Sequence, residues 1–252
     1  MKRIESTSNQ KVKQWKKLHT KKEREKTGLF IIEGVHLIEE ALKSDLEIDT
    51  ILADENFVFP PEWQAHNLDI TYVTNAVLKE VSETLTPQGI IAVCRQLETA
   101  DVDIQGGKYL LIDGVQDPGN VGTMIRTADA AGLTAVILGE GTVDVYNSKV
   151  IRATQGSLFH IPVYKGVLPE WIAACKQNNV PVFGTALEHA STYTAIEPQT
   201  DFALIVGNEG EGVSRGILEQ TDQNLYVPLF GKAESLNVGV ATGILLYYLR
   251  GA

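Results

Sequence analysis

Cysteine is scarce in this chain: Cys94 and Cys175 stand 81 positions apart, each among apolar neighbours. That separation argues against a disulfide framework or a thiolate metal site, and for two buried free thiols. Long apolar runs are missing too. No stretch reaches the roughly 20 residues of a bilayer-spanning helix, and the polar, basic N-terminus has no signal-peptide core. A soluble, cytoplasmic protein with no membrane partner is therefore expected. Also absent are the GxGxxG fingerprint and the P-loop lysine, which leaves a nucleotide-binding α/β protein without its phosphate-binding motif.

What is present is enough for a sizeable core. With 252 residues, 44% apolar and 21% charged, the chain can bury a core and form two domains. Its net charge of -10 is unevenly spread: residues 1 to 26 hold ten Lys or Arg against three Glu, a local +7, so the remaining 226 residues carry -17. An acidic body with a basic arm suits an arm that meets a polyanion. The alternative is a solvated helical tail. Trp15 and His19, set among Lys11, Lys13, Lys16, Lys17, Lys21 and Lys22, add groups able to stack on or hydrogen-bond to nucleic acid.

The first half reads as a small α/β unit. Arg3 to Lys22 is expected to be helical, as are Val35 to Leu42 and Asn75 to Val81; strands are expected at Leu29 to Ile32, Ile48 to Ala53, Ile70 to Val73 and Ile90 to Arg95. Apolar periodicity then lapses. The domain boundaries expected are 1–98, a linker over 99–107 ending in Gly-Gly, and 108–252. Beyond Lys108, strand patterns (Tyr109 to Ile112, Ala135 to Leu138, Val182 to Thr185, Ala203 to Val206, Leu225 to Val227) alternate with helices near Val121 to Ala131, Tyr146 to Ala153, Pro169 to Gln177, Ser214 to Gln220 and Leu236 to Leu249. That alternation predicts a mostly parallel, doubly wound sheet, whose ligands bind beyond the carboxyl ends of its strands.

Three loops at such ends carry unusual residues. Asp113-Gly-Val-Gln-Asp-Pro-Gly-Asn120-Val-Gly-Thr-Met-Ile-Arg126 turns from a strand into a helix, with Asn120 as the expected N-cap and Arg126 isolated among small and apolar residues. Either Arg126 is a solvated helix residue or its planar fork awaits an anion, for which phosphate is well shaped. Gly207-Asn-Glu209-Gly-Glu-Gly212 lets backbone approach a ligand closely, and its carboxylates favour an uncharged or cationic molecule; Glu209 is either a helix cap or a polar anchor. The third loop runs from Val227 through Ser235-Leu-Asn237 into a helix with nothing charged from Val238 to Leu249. Such a helix is expected to be buried nearly all round, by the sheet, a second subunit or both. His160 and His189 are expected to be structural.

These residues resemble the SpoU (TrmH) family of RNA ribose 2'-O-methyltransferases of the SPOUT superfamily. Asn120-Val-Gly-Thr-Met-Ile-Arg126 is similar to its first motif, Gly207-Asn-Glu209-Gly-Glu-Gly212 to its second, and Val227-Pro-Leu-Phe-Gly231 through Ser235-Leu-Asn237-Val-Gly-Val-Ala241 to its third. Gly239 stands where relatives often carry Ser. The N-terminal half, with Glu33-Gly34 after its first strand, resembles an L30e-like RNA-binding domain. The resemblance implies a deep trefoil knot, a homodimer through the catalytic domain, and bound S-adenosyl-L-methionine held by Thr185, Gly207, Val227 and Leu236. It implies a catalytic set of Arg126, Asn120, Glu209, Ser235 and Asn237, without a metal. RNA is the implied partner, ribosomal RNA first and transfer RNA second. A non-catalytic RNA-binding protein that keeps the knot is the alternative, against which the intact set argues.

Overall fold

The structure, a computed structural model, describes residues 2–84, 86–97 and 104–251. Contacts divide the chain into two units, Met1–Glu98 with Tyr146–Phe159, and Thr99–Val145 with His160–Ala252. The sequence half expected to be catalytic thus contributes Tyr146–Phe159 to the first unit. Six residues at the expected linker and its edge, 98–103, lie outside the described residues.

The first unit begins with β1 (Lys2–Ile4), α1 (Gln10–Lys17) and α2 (Lys21–Thr27), where one helix from Arg3 to Lys22 was expected. Capping residues break it. Asn9 Oδ1 accepts from Lys11 N at 2.8 Å, and Thr20 Oγ1 accepts from Glu23 N at 3.4 Å, so each oxygen starts a new helix instead of continuing an old one. There follow β2 (Leu29–Glu33), α3 (Val35–Leu42), β3 (Ile48–Asp54), β4 (Ile70–Val73), α4 (Asn75–Val81) and β5 (Ile90–Arg95). The sheet order is β1-β4-β3-β5-β2; β4 pairs parallel with β1 and β3, while β5 pairs antiparallel with β3 and β2.

Helix α1 is amphipathic, and its inner face decides the fate of Trp15. The indole is 8% exposed and packs with Val12, Leu18, Val77, Leu78 and Val81. His19 is fixed as well, its Nε2 2.5 Å from Val81 O. Neither is free to stack on a partner. Glu33 accepts from Ser82 Oγ (2.6 Å), Thr84 Oγ1 (3.0 Å) and Glu83 N (3.0 Å), a local staple beside Gly34, whose φ of +94° requires glycine.

The second half of the chain runs β6 (Lys108–Asp113), α5 (Pro118–Ala130), β7 (Ala135–Leu138), α6 (Ser148–Thr154), β8 (Val163–Lys165), α7 (Leu168–Gln177), β9 (Val182–Thr185), β10 (Ser191–Thr192), β11 (Phe202–Gly207), α8 (Arg215–Leu218), β12 (Gln223–Tyr226) and α9 (Val238–Arg250). Of these, α6 lies in the first unit, where Tyr146 stacks at 4.6 Å on Phe30 and accepts from Leu97 N. The other strands form one sheet, in order β10-β12-β9-β11-β6-β7-β8, with every pairing parallel. Strands β6, β7 and β11 are almost wholly buried, as their unbroken Val, Ile and Leu runs require of a sheet covered on both faces.

From β6 the chain winds outward through β7 and β8, then crosses to β9 on the other side and later fills the gap beside β6 with β11. The winding therefore reverses between β6 and β11, whose ends sit side by side with Gly207 in register with Asp113. Such a switch point opens a crevice at the carboxyl ends of the strands. Cys94 and Cys175 are buried free thiols, and burial pushes the Cys175 thiol up to about 11.

Candidate functional site

Local chemistry at the end of β6 places the first loop. Asp113 Oδ2 accepts from Ser214 N (2.8 Å) and Gly114 O accepts from Asn208 Nδ2 (2.8 Å), tying this loop to the one after β11. Asn120 is not the cap expected. Asp117 caps α5 by accepting from Asn120 N at 2.8 Å, and Pro118 takes the first helical position, where its missing N–H costs nothing.

Freed from capping, the Asn120 side chain joins all three loops. Its Nδ2 donates to Glu209 Oε1 at 3.0 Å, and its Oδ1 accepts from Asn237 Nδ2 at 2.8 Å. Asn237 does cap its helix, its Oδ1 accepting from Gly239 N (2.9 Å) and Val240 N (3.3 Å). Glu209 also accepts from Asp117 N (3.1 Å) and Gln116 N (3.3 Å). The donors dictate each orientation in turn: Asn237 must accept from backbone, so it donates to Asn120, which must then donate to Glu209. Glu209 is left as acceptor only, which suits the carboxylate. Burial pushes its carboxyl up, but the bonds from the Asn120 side chain and from backbone N–H groups outweigh this and hold it below the usual range.

Beside this brace lies a cavity of about 1100 Å³, lined by the loops after β9, β11 and β12 and by Ala241 and Leu245 of α9. Of the residues proposed from sequence, Thr185, Glu209, Val227, Ser235 and Leu236 line it. Gly207 does not. A Cβ there would collide with the Gly212–Val213 backbone, because Asn208 and Gly212 exchange backbone hydrogen bonds of 3.0 and 2.9 Å. Its glycine serves the return of its own loop. Asn120 and Asn237 stand outside the lining as the brace.

Arg126 is exposed on α5, does not line the cavity, and has no hydrogen bond or ion pair among the described residues. Helix α9 is covered on one side only. Leu245, Leu246 and Leu249 are buried, whereas Val240 and Tyr247 are 52% and 51% exposed, so the all-round burial expected of this helix is not achieved within one chain. Its crossing with α5 is close at Gly239, where a Cβ would stand 3.3 Å from Thr123 Cγ2, whereas one on Gly243 would make ordinary contact with Thr127 Cγ2 at 3.6 Å.

The cavity lining is acidic, with Glu188, Glu209, Glu211, Glu219 and Glu234 against Arg215, which is itself paired to Glu219 at 2.9 Å. Its apolar part includes Leu225, Val227, Leu236 and Leu245. This is a poor seat for phosphate and a good one for a flat apolar ring joined to a cationic chain. His189, expected to be structural, lines the cavity with φ +50°. Its position just beyond the carboxyl end of a parallel strand was the available signal. His160 is exposed and lies outside the lining.

On the first unit, Lys11, Lys13, Lys16, Lys17, Lys21 and Lys22 are all exposed. Lys16 is engaged by Glu80 at 2.6 Å and Lys21 by Glu25 at 3.7 Å, while Lys11, Lys13, Lys17 and Lys22 have no ion pair among the described residues.

Comparisons with known proteins agree with this geometry. Residues 107–247 match the SpoU rRNA Methylase family, and residues 9–92 match the MRM3-like substrate binding domain. The chain is 54% identical over 251 residues, covering 100% of both chains, to the 23S rRNA (guanosine(2553)-2'-O)-methyltransferase RlmP of Bacillus subtilis. It is similar to the AdoMet-bound rRNA methyltransferase from Sinorhizobium meliloti (TM-score 0.89, 31% identity, 99% of this chain and 97% of that one). It also resembles the SpoU methyltransferase AviRb from Streptomyces viridochromogenes in complex with AdoMet (TM-score 0.85, 25% identity, 96% and 97% covered). The cavity beyond the carboxyl ends of β9, β11 and β12 and the full-length match to a ribose methyltransferase lead to the same conclusion: the chain belongs to the SpoU rRNA methylase family.

Proposed function

We propose that this protein methylates the 2'-hydroxyl of a guanosine ribose in 23S ribosomal RNA, with S-adenosylmethionine as methyl donor. The observation that carries this reading is the acidic, apolar cavity walled by three loops, in a chain that matches a 23S rRNA methyltransferase from end to end. When bound, the donor supplies an electrophilic methyl group on a positively charged sulfur. Thr185, Val227 and Leu236 would hold it, with Gly207 shaping the loop beside it. The glutamate-rich lining favours its positive charge.

The chain's own residues then have separable tasks. Arg126 binds the phosphate next to the target ribose and stabilises the alkoxide as it develops; it does not serve as a base, since a guanidinium keeps its proton. The hydroxyl proton passes to phosphate or water. Ser235 offers a hydroxyl to the ribose or phosphate. Glu209, Asn120 and Asn237 hold the three loops in one geometry. The lysines of α1 and α2 take up the RNA backbone, contacts that position the RNA without reading its sequence.

A second copy of the chain covers the exposed side of α9. Two facts support a homodimer: Val240 and Tyr247 stand open, and Arg126 does not line the cavity of its own chain. The C-terminal segment of the catalytic half threads a trefoil knot, and the protein works in the cytoplasm. Mapping ribose methylations by mass spectrometry in RNA from cells with and without this protein tests the reading. Loss of one 23S methylation is expected; an unchanged ribosomal RNA would overturn it, and loss of a transfer RNA site instead would redirect it.

A further inference from the structure

The loop between β12 and α9 carries Phe230 with 98% of its surface exposed, the most exposed of the large apolar residues described. Many other aromatic rings here have partners: Phe30 with Tyr146, Phe57 with Phe59 and Trp63, Tyr164 and Tyr109 with Trp171, Tyr193 with Tyr248. Phe230 meets no ring among the described residues. A single exposed apolar side chain on a protein surface is ordinary, so position must decide whether this one has a task.

Its position is on the rim of the cavity. Leu229 on one side lines the cavity, as do Glu234 and Ser235 on the other. Between them, a Cβ on Gly231 would meet nothing within 4 Å, and Lys232 is exposed with no ion pair among the described residues. The target ribose has to come to this rim, and the rim poses a difficulty for RNA. Five glutamates line the cavity against one arginine that is already paired. Net charge attraction at this lining is too weak to hold a polyanion by itself. Stacking can hold one, because every base offers a π face and an aromatic ring needs no countercharge to bind it.

We propose that Phe230 is a stacking residue for a base flanking the methylated nucleotide, with Lys232 taking the adjacent phosphate. This rests on the proposed RNA methylation. The ring holds the strand where the acidic lining would otherwise repel it, and the loop presents it clear of the protein so that a base can lie flat on it.

The test uses the full chain and a 23S rRNA fragment centred on the guanosine that the Bacillus subtilis relative modifies. Phe230→Ala and Phe230→Leu should each raise KM for this RNA by roughly tenfold to hundredfold. Both should leave S-adenosylmethionine affinity by calorimetry, and mass by light scattering, unchanged. Phe230→Trp should keep KM near the native value, and its extra indole fluorescence, relative to the wild-type chain, should be quenched when the RNA is added without the donor. If Phe230→Leu performs like the native chain, the aromatic face is unnecessary and the proposal falls. It falls equally if Phe230→Trp shows no quenching, or if Phe230→Ala changes the mass, which would make the ring a subunit contact. A native chain that neither binds nor methylates the RNA would instead overturn the proposed function.

Discussion

Helices α1 and α9 each bury one stripe, and they differ in what they leave outside. α1 buries Val12 and Trp15 and shows water a face of lysines. α9 buries Leu245, Leu246 and Leu249 and shows Val240 and Tyr247. The first helix is complete as it stands, since a charged face is well solvated and its salt-sensitive attraction to RNA is an addition. The second is not. An apolar face on a helix with nothing charged before Arg250 calls for a second apolar surface, so partner type is written in what each helix leaves exposed.

The largest effect expected lies just beside α9. Arg126→Lys keeps the charge and loses the planar fork, and should lower kcat by about a hundredfold or more while donor binding is unchanged. Near-native turnover would show that a point charge suffices. Next, Val240→Asp places a charge on the open face of α9. It should convert dimer to monomer in light scattering and make the melting temperature insensitive to protein concentration, and a mass unaffected by the change would remove that face from the interface.

A smaller effect belongs to Glu209, and it depends on pH. Its folded-state pKa is depressed, so its contribution is full above the ordinary value of 4.5 and is lost as the pH falls toward the lowered value. The melting temperature of the native chain should exceed that of Glu209→Gln at pH 7, with the gap closing below about pH 4.5. A gap that persists unchanged at low pH would mean that shape, not charge, matters at this position. The smallest effects are those of single lysines on α1. Lys13→Ala should reduce the salt slope of RNA binding by about one, and Lys16→Ala by less, because Glu80 already engages that ammonium. Equal slopes would mean that the ion pair yields to RNA.

Much of this fold is legible in sequence because its elements are long or strongly periodic. Val35–Leu42 and Asn75–Val81 form where their apolar spacing places them. The short edge strands β1, β8 and β10 escape notice because two or three residues hold no period to detect. Trp15 misleads for a different reason: among lysines an indole looks like a stacking group, and only the inner face of α1 reveals it as core. At the site, sequence picks out the three loops but not the geometry that joins them. Asn120 looks like a cap because it precedes an apolar run, yet Asp117-Pro118 starts the helix earlier and leaves Asn120 to bridge two other loops.

That bridge makes the loops thermally inseparable. Glu209, Asn120 and Asn237 are linked so that each orientation depends on the next, and opening the Asn120 loop takes three donors from Glu209 and the acceptor from the Asn237 amide. Local unfolding should therefore run as a single event. The amide protons of Gln116, Asp117, Gly239 and Val240, more than a hundred residues apart in sequence, should exchange with deuterium at one common rate. Asn120→Ala should split that rate into two.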